Sequence, residues 1–162
     1  MDIRSFGDEI LRRPAEPVPV VDDVIRQDCE RMIEAMVRAG GIGLAAPQIG
    51  ISKRIIVLDV GGEFHVVINP ELVERAGDDD DASEGCLSVP GVYANVSRKT
   101  KVRLRGTDLD GRPVEIPAEG LLARAIQHEM DHLAGVLFID HLSTARRQSL
   151  LKEYRRLQEE SG

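Results

Sequence analysis

The sequence predicts an α+β fold in which antiparallel β-sheets pack around a central, candidate metal-binding helix, with an N-terminal helix and a C-terminal helix beside it. Three observations predict it. Leu121, Ala125, His128 and His132 recur at helical spacing, and Leu122, Ile126 and Leu133 form a neighbouring stripe, so this stretch reads as an amphipathic helix. The β-rich runs Arg54–Val60 and Phe64–Asn69 flank Gly61-Gly62, and Asp110-Gly111 is a second hairpin signal. Two other stretches, near 22–39 and 143–160, again carry apolar residues at helical spacing. With 162 residues the chain suits a single domain over 1–162.

Composition narrows the function class. A hydrophobic fraction of 42% and a charged fraction of 30% are those of a soluble globular protein. The net charge of −7 offers no basic surplus to neutralise phosphates, which argues against direct nucleic-acid binding. No apolar run is long enough to span a membrane, and Met1-Asp2-Ile3-Arg4 lacks the basic-then-apolar pattern of a signal peptide, so a cytoplasmic protein is expected. Two cysteines, Cys29 and Cys86, do not make a disulfide framework.

In chain order, Pro14, Pro17 and Pro19 make residues 1–20 an extended surface arm. Asp22 is a candidate N-cap, Ile25, Cys29, Met32 and Met36 share one helical face as core residues, and Gly40-Gly41 end that helix. Gly41 to Gly50 holds too many small residues for a strand interior and is expected to be a loop that another backbone can approach closely. Gln48 within it offers both an amide donor and a carbonyl acceptor. His65 alternates with its strand neighbours as a surface histidine, and Asp78 to Asp81 reads as a solvated acidic loop. Val102 and Leu104 alternate with Lys101, Arg103 and Arg105 in a half-exposed strand, and Arg112–Ile116 follows the second turn. Pro117 and Glu119 suit the first turn of the central helix, and Gly135 suits its end. In the last helix Leu150, Tyr154 and Leu157 share a face.

The chemistry concentrates in Gln127-His128-Glu129-Met130-Asp131-His132. Histidines at i and i+4 lie on one helical face about 5–6 Å apart at Cβ and can close on one metal ion, with the intervening Glu beside them. Two histidines are one ligand short of the usual catalytic site. A third His six residues after the second is absent, since that position is Phe138. Glu153 on the last helix is one candidate for the third ligand. Cys86, in Glu84-Gly85-Cys86-Leu87-Ser88, is the other, because a thiolate binds a borderline-soft metal strongly.

Gly41-Ile42-Gly43-Leu44-Ala45-Ala46-Pro47-Gln48, Glu84-Gly85-Cys86-Leu87-Ser88 and Gln127-His128-Glu129-Met130-Asp131-His132 resemble the three signature motifs of the peptide deformylases, in that family's order. The resemblance runs over nearly the whole chain. It implies a metal-dependent amidase that removes the N-formyl group from the formyl-methionine of newly made polypeptides and releases formate. It implies Cys86, His128 and His132 as metal ligands, typically of ferrous iron, with zinc, nickel or cobalt as substitutes. Glu129 would then serve as general base and acid, and the Leu87 backbone N–H and the Gln48 side chain as donors to the developing oxyanion. Ile42 and Gly43 would pair with the substrate backbone, and Leu121, Arg124 and Ala125 would wall the methionine pocket. Its partners would be N-formylmethionyl nascent peptides, met in the vicinity of the ribosome. Two other readings are an HExxH metallopeptidase with Glu153 as third ligand, and a non-catalytic metal protein that binds N-terminal peptides.

Arg124 departs from the apolar residue that many relatives carry there. A bare guanidinium inside a methionine pocket costs too much, so its stem is expected along the pocket wall and its charged head in the water at the rim.

Overall fold

The Asp22 side chain accepts from the Ile25 N–H at 3.0 Å and so starts helix α1, Asp23–Arg38. Its buried face is the expected one, Ile25, Cys29, Met32 and Met36. The structure, a computed structural model, describes residues 2–161; Met1, part of the N-terminal reading, and Gly162 lie outside them.

Five strands follow: β1 Gly43–Ala45, β2 Ile55–Val60, β3 Glu63–Cys86, β4 Val89–Thr107 and β5 Pro113–Glu119. They form one antiparallel sheet in the order β1-β2-β3-β4-β5. Gly61 and Gly62 turn β2 into β3 with φ of +59° and +84°, the left-handed backbone a two-residue hairpin needs. Helix α2, Gly120–Leu133, runs directly out of β5, and helix α3, Thr144–Ser161, closes the fold.

Three apolar clusters hold these elements together. Leu122, Ile126 and Leu133 of α2 meet Ile56, Leu58, Val102, Leu104 and Ile116 of the sheet. The buried face of α1 meets Leu44, Ile55 and Val57. Leu150, Leu151 and Tyr154 of α3 cover Val89, Val92, Val96 and Phe138. Each fully buried Leu, Ile or Phe contributes about 1.5–3 kcal/mol relative to exposure, so α2 is held by its apolar stripe while its other face is free to carry chemistry.

Four local expectations are corrected. The arm over 1–20 contains a 3-10 turn, Glu9–Arg12, and buries Leu11, Ala15 and Val18. Asn69 pins it, exchanging two 2.8 Å hydrogen bonds with the Val18 backbone. The glycine-rich stretch is a short strand, β1, and a 3-10 turn, Ala46–Ile49; pairing with the buried β2 outweighs the poor strand propensity of glycine. The acidic run is strand, because Asp79 lies opposite Lys99 and Asp80 opposite Arg98 in the β3–β4 ladder. Pro117 is in β5 rather than in the first turn of α2, and Glu119 is the N-cap without a side-chain capping bond.

Candidate metal centre

Three elements converge on one point. Cys86 ends β3, at the β3–β4 turn where it pairs with Val89, and this carries its sulfur over α2. His128 and His132 come from successive turns of α2. The Cys86 Sγ lies 3.3 Å from His132 Nε2, and the two Nε2 atoms are 3.2 Å apart. All three ligand atoms lie within 4.8 Å of one another. Glu153 is not part of the group: it sits on α3, half exposed, bound to Arg156.

The donor set fits a metal, and so do its surroundings. His128 Nδ1 is 2.8 Å from the acceptor-only carboxylate of Glu84, so Nδ1 donates and Nε2 is the nitrogen turned toward the cluster. Burial works against a positive charge on His128, but Cys86, Glu129 and Glu84 around it outweigh that and favour a cation there. Burial holds the His132 imidazole neutral, well below its ordinary pKa, which is the form that ligates. The Oε1 of Glu129 is buried with no partner among the described residues.

Glu129 is placed by a missing side chain. A Cβ on Gly43 would lie 2.6 Å from Glu129 Oε2, so only glycine lets the carboxylate lie against β1. Burial, partly offset by the charge of His128, raises the Glu129 pKa to about 7.

The donor end of Gln48 is also held. Its Oε1 accepts from the Ala45 N–H at 2.9 Å, while its Nε2 donates to Ser88 Oγ at 3.1 Å and lies 3.7 Å from Cys86 Sγ. This directs an amide N–H₂ at the centre, next to Leu87. Gln48, Ile42, Gly43, Leu87, Leu121, Arg124, Ala125, His128 and Glu129 all border one cavity of about 380 Å³ that opens beside the cluster. Leu121 is 56% exposed and stands at its mouth. The Asp59 N–H donates to the Ile42 carbonyl and Gly43 is opposite Leu58, so the strand alternation turns the Gly43 backbone groups away from β2. β1 is the edge of the sheet, and that side of Gly43 borders the cavity.

Arg124 corrects the sequence reading. Its guanidinium does not reach water at the rim; the residue is only 7% exposed and its head points inward, away from the mouth. Nη1 donates to Glu84 Oε2 and to the Val96 carbonyl, both at 2.7 Å, and Nη2 to the Asp80 carbonyl at 2.7 Å. The expectation assumed no internal partner, and β3 and β4 supply several.

Sequence reasoning also missed the carboxylate and the second arginine behind the ligands. Arg98 grips Glu84 with two hydrogen bonds of 2.8 and 2.9 Å and reaches Asp131 at 2.7 Å. Burial opposes ionisation of Glu84, but the Arg98 and His128 hydrogen bonds outweigh it and hold the carboxyl well below its usual range. The only sequence signal was the place of Glu84 two residues before Cys86, and nothing local marks Arg98.

The chain matches the family model for polypeptide deformylase over residues 1–148. It is 51% identical over 156 residues to the peptide deformylase of Pseudomonas aeruginosa, which covers 94% of this chain and 93% of that protein. The crystal structure of a peptide deformylase from Legionella pneumophila superposes with a TM-score of 0.90 at 44% identity, over 98% of this chain and 96% of that one. That of a peptide deformylase from Synechococcus elongatus in complex with actinonin superposes with a TM-score of 0.91 at 46% identity, over 95% of this chain and 85% of that one.

Proposed function

This chain belongs to the polypeptide deformylase family, and from that premise we propose how its residues divide the work. The activity is metal-dependent removal of the N-formyl group from nascent peptides. The observation that carries the assignment of residues is the Cys86, His128 and His132 cluster beside the unpartnered Glu129 oxygen. Cys86, His128 and His132 hold the metal, which we take to be ferrous iron because the family's members typically use it, with zinc, nickel or cobalt as substitutes. When bound, the metal makes a water acidic enough to attack near neutral pH and polarises the formyl carbonyl.

Glu129 takes the proton of the attacking water on its buried Oε1 and returns it to the departing amine, base first and acid afterwards. Burial favours the protonated form of this carboxyl, which helps it hold the proton between the two steps. The Gln48 amide and the Leu87 N–H donate to the formyl oxygen as it gains charge. Because Gln48 is anchored at its other end on Ala45, the donor is in place before the substrate arrives. Gly43 takes the peptide backbone on the free edge of β1 as an added strand, with Ile42 beside it at the cavity wall. Leu121, Ala125 and Arg124 line the cavity for the methionine side chain.

We place the whole 1–162 chain in this one catalytic domain, working in the cytoplasm near the ribosome, where formylated nascent chains arise. Among the described residues, no helix is long and apolar enough to cross a membrane.

Formate release from formyl-Met-Ala tests the reading. Protein purified without oxygen and loaded with Fe²⁺ should turn over, and a chelator should stop it. Loaded protein that releases no formate would refute the assignment.

A further inference from the structure

Glu84 has its carboxylate filled from three sides. Oε1 accepts from His128 Nδ1 and Arg98 Nη2, and Oε2 accepts from Arg98 Nε and Arg124 Nη1. Arg98 cannot serve Glu84 alone, because its Nη1 is committed to Asp131 at 2.7 Å. Without Arg124, one guanidinium would be left for two carboxylates in a largely buried site. Arg124 adds a second tie of the kind Arg98 makes, since Arg98 on β4 bonds Asp131 of α2 and Glu84 of β3. Arg124 stands one turn before His128 on α2 and donates to the Asp80 carbonyl of β3 and the Val96 carbonyl of β4, so it ties the helix bearing the histidines to both strands behind them.

We propose that Arg124 is a positioning residue for the metal centre, acting through Glu84 to fix the ring of His128 while it lines the substrate cavity. One guanidinium thereby sets a ligand and a pocket wall together. The inference rests on Cys86, His128 and His132 being the metal ligands. It makes no use of the formylated substrate.

Arg suits this place better than Lys. Its fork reaches three acceptors in different directions, and a lysine ammonium on a flexible stem lacks that planar geometry. Loss of a group that orients a metal ligand typically costs 10–100-fold in metal affinity or activity. Arg124 acts one hydrogen bond further out, so about 10-fold, the lower end of that range, is expected for Arg124→Met.

The experiment is Co²⁺ release from the loaded full chain to a chelator, followed in the visible absorption of the bound ion and paired with thermal unfolding. Arg124→Met should release Co²⁺ about 10-fold faster than wild type, with an altered absorption band, and Arg124→Lys should fall between them. In a Glu84→Gln background, Arg124→Met should add little, because the link through Glu84 is already cut. Val96→Ala supplies the control: it trims a buried side chain of the same strand without touching the guanidinium's backbone acceptor. If Val96→Ala of matched thermal stability speeds release equally, or if Arg124→Met adds its full effect without Glu84, Arg124 is merely structural and the proposal is overturned. Should Arg124→Met fail to fold, Arg124→Lys against Val96→Ala decides by the same comparison. A wild type that holds no Co²⁺ would overturn the metal assignment and this inference with it. Wild-type retention with unchanged release from the variants would overturn the inference alone.

Discussion

Gly43 and Glu129 meet so closely that a Cβ at Gly43 would stand 2.6 Å from the Glu129 carboxylate oxygen and force it to move. In the proposed mechanism, the strand that would take the peptide backbone therefore also forms the wall that aims the proposed general base. Gly43→Ala should push the carboxylate off its line. A displacement on the order of 1 Å near the chemistry costs about 10²-fold, so kcat should fall by that order while the metal is retained. Steady-state kinetics with metal analysis check this, and unchanged kcat would show that Glu129 has room to spare.

Glu129→Gln should keep the metal and the fold but lose the proton path. Groups in this role contribute roughly 10²–10⁴-fold, and kcat should drop within that range. Near-normal turnover by metal-loaded Glu129→Gln would move the acid–base role elsewhere.

The two cysteines should behave oppositely. Burial, with the charge of Asp28 adding to it, pushes the Cys29 thiol up to about 11, and the side chain is enclosed in the α1 core. Cys86 is only partly buried and faces the cavity. An alkylating reagent at pH 8 should therefore modify Cys86 in metal-free native protein and spare Cys29. Loading the metal should protect Cys86. Cys86→Ala should lose the metal and Cys29→Ala should keep it, measured by elemental analysis; equal retention would remove Cys86 from the site.

Arg12 and Asp140 join the N-terminal segment to the turn after α2, with a 2.6 Å ion pair and a further bond from the Leu137 N–H to Asp140 at 2.9 Å. Partial burial opposes ionisation of Asp140, but the Arg12 and Leu137 bonds prevail and lower its pKa. A depressed carboxylate adds stability above its unfolded pKa, near 3.9, and that contribution fades as the pH falls through the folded value. Asp140→Asn should lower stability at pH 7 by about 1 kcal/mol or less, since the pair is partly exposed. The gap to wild type should close below about pH 3.9. Thermal unfolding across pH measures it, and a gap that widens in acid would contradict the sign.

Local order was legible in the sequence wherever one periodicity or one turn residue decided it. The apolar stripes of α1, α2 and α3, the Asp22 cap and the Gly61-Gly62 turn all needed only near neighbours, and each stands where it was expected. His128 and His132 lie on one helical face for the same reason, because i,i+4 spacing is a property of the helix itself, and Glu129 follows beside them. Cys86 needed the family resemblance, since nothing local distinguishes a ligand thiol from a buried one.

Tertiary structure decided the rest, through contacts between residues far apart in the chain. Glycine-rich β1 is a strand because β2 lies beside it, and the acidic run is a strand because Arg98 and Lys99 lie across from it. Arg124 sits 28 residues from Val96 and 40 from Glu84 along the chain. Whether its guanidinium turns to water or inward depends on the acceptors the fold brings to it, because a buried charge is tolerated only where partners are already placed. The sequence by itself determined a helix with two histidines on one face and a glutamate beside them. The folded sheet behind that helix determined which carboxylate meets His128, which arginines hold that carboxylate, and which strand edge stays open beside the cavity.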